Sequence, residues 1–221
     1  MKIDAFTKTY GSKKVLCFPE TEFEIGRIYA VIGPNGSAKS TMAKVIAGIE
    51  NADSRHSQLI SANIGYMPQK SFPFRMSVKK NILLNGNNID KAEYLMKQLD
   101  LERLCDRGAK KLSGGETAKM ALARLMLKHY DMLILDEPCA SMDMKSTLIT
   151  ESLLNEYREQ ENAAIILITH SLQQASRIAD EVLFFYNGEL IEKGKTADVF
   201  EHPVDARTRE FIDFQALGAR I

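Results

Sequence analysis

The 221-residue sequence predicts an α/β fold: a mainly parallel sheet flanked by helices, with an N-terminal antiparallel β-subdomain and a helical insert at about residues 82–128. Three observations carry this expectation. Continuous apolar runs at Ile28–Ile32, Met132–Leu135, Ala163–Ile168 and Val182–Tyr186 suit strands buried on both faces. Helical patterns at Met144–Glu161 and Ser171–Ala179 separate the later runs, the alternation that parallel crossovers require. Between the first run and the second, Leu95, Leu99, Leu101 and Leu104, then Met120, Leu122, Leu125 and Leu127, stand among many charges and read as the helical insert.

In chain order, the first 32 residues read as short strands, with Phe23 and Ile25 alternating with Glu22 and Glu24 and with turns at Gly11 and Gly26. Met42, Val45, Ile46 and Ile49 recur at helical spacing over Thr41–Ile49, with Gly48 near the end. The tail after Pro203 is charged and reads as a short helical appendage. With 45% hydrophobic residues and no internal repeat or flexible linker, residues 1–221 are expected to form one domain.

Composition excludes several function classes. The 29 basic and 29 acidic residues balance, so no long-range field gathers nucleic acid or anionic lipid. The longest purely apolar run, Ala163–Ile168, is far short of the roughly 20 residues that span a bilayer. Direct membrane insertion is not expected, and Met1–Tyr10 lacks the apolar stretch of a secretory leader. Cys17, Cys105 and Cys139 form no C-x-x-C pair and read as free thiols of a reducing compartment.

The residues that carry chemistry begin at Gly33–Ser40, G-P-N-G-S-A-K-S, between a buried strand and a helix. Glycines there let successive backbone N–H groups turn toward a phosphate, and the helix N-terminus adds positive potential. Lys39 suits the outer phosphates and the Ser40 hydroxyl a magnesium ion. Ala38 stands where the general G-x-x-x-x-G-K-[ST] pattern has glycine. Its methyl group costs about 1–2 kcal/mol if the backbone there is left-handed. A buried strand ends in Asp136 and Glu137, followed by Pro138. Asp136 suits magnesium through its water shell, and Glu137 suits polarising the water that attacks a terminal phosphate. Leu112-Ser-Gly-Gly-Glu116 opens a helix, where a serine turn by itself reads as a cap.

Phosphate loop, L-S-G-G and L-D-E-P in this order resemble the ATP-binding-cassette (ABC) ATPases over nearly the whole chain. The resemblance implies a P-loop NTPase fold of ABC type and an ATPase that uses ATP and Mg²⁺. It implies that Tyr10 stacks on adenine with Val15 on the same face, and that Asn35, Gly36, Ser37, Ala38, Lys39, Ser40 and Thr41 hold the phosphates. Gln69 then senses magnesium and the terminal phosphate, Ser40 and Asp136 complete the metal site, and Glu137 and His170 act in hydrolysis. Ser113, Gly114, Gly115 and Asp143 belong to the site of a second copy of the chain, or of a related ATPase subunit, in a head-to-tail dimer. Integral membrane permease subunits are the implied partners, docked by Lys70–Ile82 with Phe72, Phe74 and Met76. The implied location is cytoplasmic, peripheral on the inner face of the cell membrane. His56, His129 and His202 match no motif of the family.

This sequence departs from the family pattern in having Glu116 for glutamine, Cys139 for threonine and Met142 for leucine. The interval of 30 residues from Lys39 to Gln69 implies a trimmed antiparallel sheet. Separate motor subunits, and a tail from Val199 through Phe211 similar to those for oxyanions or polar amino acids, favour import. An exporter motor and a regulatory module that binds ATP without hydrolysis remain open. A soluble cassette protein of translation or repair would carry two cassettes or a long coiled coil, and this sequence has neither.

Overall fold

A computed structural model describes residues 1–53 and 62–218, so His56 lies outside the described residues. The elements run β1 (Lys2–Ile3), β2 (Phe6–Tyr10), β3 (Lys13–Phe18), β4 (Thr21–Glu22), β5 (Ile28–Ile32), α1 (Lys39–Ile46), β6 (Ile64–Met67), α2 (Val78–Ile82), α3 (Ile89–Gln98), α4 (Gly114–Met126), β7 (Met132–Asp136), α5 (Met144–Glu161), β8 (Ala164–Ile168), α6 (Leu172–Ile178), β9 (Glu181–Tyr186), β10 (Glu189–Lys195), α7 (Thr196–Glu201) and α8 (Ala206–Gly218).

The main sheet has eight strands in the order β2-β3-β10-β9-β5-β8-β7-β6. From β9 to β6 every pairing is parallel. The antiparallel part joins the same sheet: β10 pairs antiparallel with β9 and bridges in parallel to β3, which forms a hairpin with β2. Strands β1 and β4 form a separate two-stranded antiparallel sheet. The expected strand through Ile25 stops at Glu22, and Ile25 is exposed in the turn before β5. The helix expected to reach Ile49 ends at Ile46, because Gly48 turns the chain left-handed with φ of 70°. Ile49 is therefore exposed.

Period-two alternation divides the core between the two faces of the sheet. Leu133, Leu135, Ile165 and Leu167 pack with Leu95, Leu99, Met120, Leu122 and Leu125 of the helical region. Met132, Ile134, Ile166 and Ile168 point the other way and join Tyr29, Met42, Val45 and Ile46. Helix α4 packs on α2, α3 and β6, whereas α1 packs on β3 and β7. The two helices that open with the phosphate loop and with the L-S-G-G segment at Ser113–Gly115, the signature turn, thus belong to opposite layers.

Tyr157 ties α5 to the chain entering β7. Its hydroxyl accepts from the Tyr130 N–H at 3.0 Å and donates to the Lys128 carbonyl at 2.8 Å. Replacement Tyr157→Phe leaves a buried N–H without a partner, a cost of about 1–3 kcal/mol. Urea unfolding of the variant is expected to show a lower midpoint with an unchanged slope, and an unmoved midpoint would count against this bond as a structural tie.

Candidate functional site

Because β5, β8, β7 and β6 are parallel neighbours, the segments that follow them emerge on one edge of the sheet, where open α/β sheets bind ligands. Gly33–Ala38 follows β5, His170 follows β8, Glu137 follows β7, and Gln69 follows β6. Four separate stretches of sequence are collected by strand order alone.

The loop after β5 needs its glycines for two different reasons. At Gly33, with φ of 144°, an added Cβ would lie 2.1 Å from the Phe185 carbonyl oxygen. At Gly36 the surroundings are open, and φ of 79° is the constraint. Ser37 is buried, while Asn35 and Gly36 face solvent. Ala38 is at the start of α1 with φ of 70° and ψ of 19°, so the left-handed condition anticipated from the sequence is met. Lys39 is 6% exposed, and its ammonium donates to the carbonyls of Gly33 and Pro34, each at 2.8 Å. Burial lowers its pKa, and the charges of Glu137 and Asp136 oppose that shift.

Asp136 is 2% exposed, and burial raises its pKa, with a Ser40 hydrogen bond acting in the opposite direction. Its Oδ1 is buried without a hydrogen-bond partner, while Oδ2 lies 3.5 Å from the Tyr66 hydroxyl. An orphaned carboxylate oxygen beside a serine hydroxyl fits a hard divalent cation. Among the described residues no cluster of three His, Cys, Asp or Glu side chains forms a metal cage.

Glu137 adopts φ of 52°, unusual for a residue with a Cβ, and its N–H donates to the Ile168 carbonyl at 3.0 Å. Its carboxylate is held from two sides. His170 Nε2 lies 2.8 Å from Oε1, and Gln69 Nε2 donates to Oε2 at 2.9 Å. The structure therefore brings Gln69, Glu137 and His170 into one hydrogen-bonded group, with Asp136 and Lys39 within electrostatic reach.

Tyr10 is half-exposed at the end of β2, with Lys8 Nζ 5.2 Å from its ring centroid and its hydroxyl bonded to Glu50. The bond to Glu50 raises the Tyr10 pKa, with a smaller opposing effect from Thr41 in the first turn of α1. Val15 is the extra residue where the β2–β3 register slips, half-buried against the core beneath. Sequence reasoning missed Tyr66 and Glu50; each is found only through its partner in space.

The signature residues belong to a different layer. Ser113 caps α4: its Oγ accepts from the Glu116 N–H at 3.3 Å, and the Glu116 carboxylate accepts from the Ser113 N–H at 2.7 Å. Glu116 thus completes a capping box, and these bonds lower its pKa. A Cβ on Gly115 would lie 2.6 Å from the Ser141 carbonyl oxygen, and one on Gly114 would lie 3.6 Å from the Ser141 side chain. Asp143 caps α5 through the Ser146 N–H at 2.7 Å. Their packing thus ties Ser113, Gly114, Gly115 and Asp143 to α4 and α5, not to the group around Glu137. His129 pairs with Glu161 at 2.9 Å, a structural contact at the far end of α5.

A phosphate loop on a parallel sheet, an acidic pair on the second strand over and a capped serine-glycine turn on a separate helix define a nucleotide-binding ATPase. The chain belongs to the ABC transporter family, whose model matches residues 19–140. It is 36% identical to a tungstate uptake system ATP-binding protein of Peptoclostridium acidaminophilum, over 84% of this chain and 94% of that protein. It is 33% identical to a molybdate/tungstate import ATP-binding protein of Archaeoglobus fulgidus, over 97% of this chain and 95% of that one. The ATP-binding subunit of an ABC transporter has the same fold, with a TM-score of 0.82, 22% identity and coverage of 97% and 98% of the two chains.

The left-handed Ala38 generates a prediction. Glycine removes a backbone penalty of about 1–2 kcal/mol, so Ala38→Gly is expected to bind ATP about tenfold more tightly. Titration of the two proteins with ATP checks this, and equal affinities would contradict it.

Proposed function

We propose that this chain is the ATP-hydrolysing subunit of an importer for a tetrahedral oxyanion. Residues 1–221 act as one ATP-binding domain, paired head to tail with a second copy or a related ATPase subunit. The observation that carries the hydrolytic reading is the Glu137 carboxylate held at hydrogen-bond distance by both Gln69 and His170. Tyr10 and Val15 carry the adenine. The Asn35–Thr41 backbone and Lys39 hold the phosphates, at the cost of one or both Lys39 bonds to the loop carbonyls. Asp136, Ser40 and Gln69 would hold Mg²⁺, which supplies charge neutralisation at the phosphates. Glu137 orients and polarises the attacking water, and His170 steadies both that carboxylate and the terminal phosphate. Phosphoryl transfer is served mainly by placement and charge.

The second half of the site comes from the partner. Ser113 Oγ accepts from the Glu116 N–H, and its O–H remains to donate to a phosphate of the other chain. Gly115 and Asp143 flank it. ATP between the chains closes the pair, and hydrolysis reopens it.

Docking on integral membrane permease subunits is supported by a groove of about 610 Å³ whose lining includes Phe72, Phe74, Met76, Leu84 and Arg124. Phe72 is 76% exposed and Phe74 51%, and the Arg124 guanidinium lies 5.3 Å from the Phe74 ring centroid. Among the described residues no helix is long and apolar enough to cross a membrane, so force is passed through such a contact at the inner face of the membrane. Oxyanion import is supported by the names of the two relatives, which specify tungstate and molybdate or tungstate. The even charge balance supports no nucleic-acid role.

Two outcomes test this reading. Glu137→Gln is expected to bind ATP normally while losing about 10²- to 10⁴-fold in turnover; undiminished ATPase would remove Glu137 from its role. Phe74→Asp is expected to keep basal ATPase and abolish transport in vesicles that carry the permease. Transport at the original rate would mean that the groove is not the coupling surface.

A further inference from the structure

Behind the catalytic carboxylate lies a cavity that the hydrolytic mechanism does not use. It has a volume of about 410 Å³ and opens between the loop after β7 and the start of α6, with Glu137, Cys139, Met142, His170, Gln174 and Arg177 among its lining residues. Gln174 is 2% exposed. Its Oε1 accepts from the Thr169 hydroxyl at 2.8 Å, but its amide nitrogen is buried without a hydrogen-bond partner. A buried amide donor in that condition favours any ligand that brings it an acceptor oxygen. The amide stands close enough to the Cys139 sulfur to favour the thiolate, without meeting it in hydrogen-bond geometry. Arg177 lies on the same wall, already paired with Glu151 at 2.7 Å but with a third of its side chain exposed. Cys139 itself is half-buried and free.

We propose that Cys139 is a modification site at which a low-molecular-weight peptide disulfide, of the oxidised glutathione class, switches ATP turnover off. The Cys139 thiolate attacks one sulfur of the disulfide. The old S–S bond breaks, a new bond forms to Cys139 Sγ, and the other half leaves as a thiolate that takes up the proton Cys139 lost. Cys139 is oxidised and the departing half is reduced, so no further reactant is needed. The attached group carries amide and carboxylate oxygens for the Gln174 amide and the Arg177 guanidinium. It fills a cavity whose wall includes Glu137 and His170, and so holds that pair away from its working geometry. The threonine that the family pattern has at this position cannot react in this way. Burial raises the Cys139 pKa, so the attack is slow near neutrality and quickens as pH rises.

The loss of turnover rests on the hydrolytic reading of Glu137, whereas adduct formation does not. The test incubates the purified full-length chain with oxidised glutathione, locates adducts by peptide mass spectrometry without reduction, and measures ATPase on the same samples. The expected result is an adduct on Cys139, formed faster at higher pH, with ATPase lowered about 100-fold at full modification, as for a displaced catalytic group. Dithiothreitol restores activity, and Cys139→Thr keeps its ATPase throughout. Cys139 remaining unmodified, a full adduct with unchanged ATPase, or equal inactivation of Cys139→Thr would each overturn the proposal. A chain with no ATPase before treatment would instead refute the hydrolytic reading, with adduct mapping still deciding whether the cavity takes the disulfide.

Discussion

Inserting β8 between β5 and β7 in parallel register sets Val31 beside Ile168, and Ile168 beside Asp136. The group around Glu137 follows from that alignment. It places the turn carrying His170 between the phosphate loop and the acidic pair. It also gives the Glu137 N–H the Ile168 carbonyl as its partner, which holds Glu137 in its left-handed conformation. With the backbone turned that way, the carboxylate bridges Gln69 and His170. Three side chains more than 30 residues apart in sequence are joined because three adjacent strands end together. A strained residue of this kind persists only where its surroundings determine it, and here the fully buried strand that ends at Asp136 and its fully buried neighbour β8 do so.

The same layering explains why one chain supplies two kinds of surface. The phosphate loop opens α1 on one face of the sheet, and the signature turn opens α4 on the other. The signature turn is packed against Ser141 so closely that Gly115 has no room for a side chain. The two segments proposed to reach into a partner, the signature turn and the loop before α5, therefore form a single packed unit. A shift of either is felt by both, which would give the proposed head-to-tail arrangement a rigid contact surface.

Much of this was legible in the sequence, for physical reasons that can be named. The central strands announce themselves because burial on both faces leaves no polar position in Ile28–Ile32 or Ala164–Ile168. The phosphate loop was legible because its glycines answer backbone demands that few other residues meet. Strand β10 was not legible, since Glu189–Lys195 is largely polar and earns its place through pairing with β9. Nor was the end of α1: Ile49 continues the helical spacing, and the left-handed Gly48 overrides it. The bridge through Glu137 is a tertiary fact, invisible to any local pattern. Glu116 reads as a departure from the family in sequence, whereas in the fold it is the carboxylate of a capping box.

Each ATP site is proposed to be completed by two chains, the loop around Lys39 from one and the turn at Ser113 from the other. Mixing two defective variants tests it most directly. Lys39→Ala cannot hold the phosphates, and Ser113→Glu repels them from the clamp, so each alone is predicted to be inactive. A mixed pair contains one site with both halves intact, and ATPase is predicted to return when the two proteins are combined. A mixture as inactive as its components, or full activity of Ser113→Glu alone, would contradict the account.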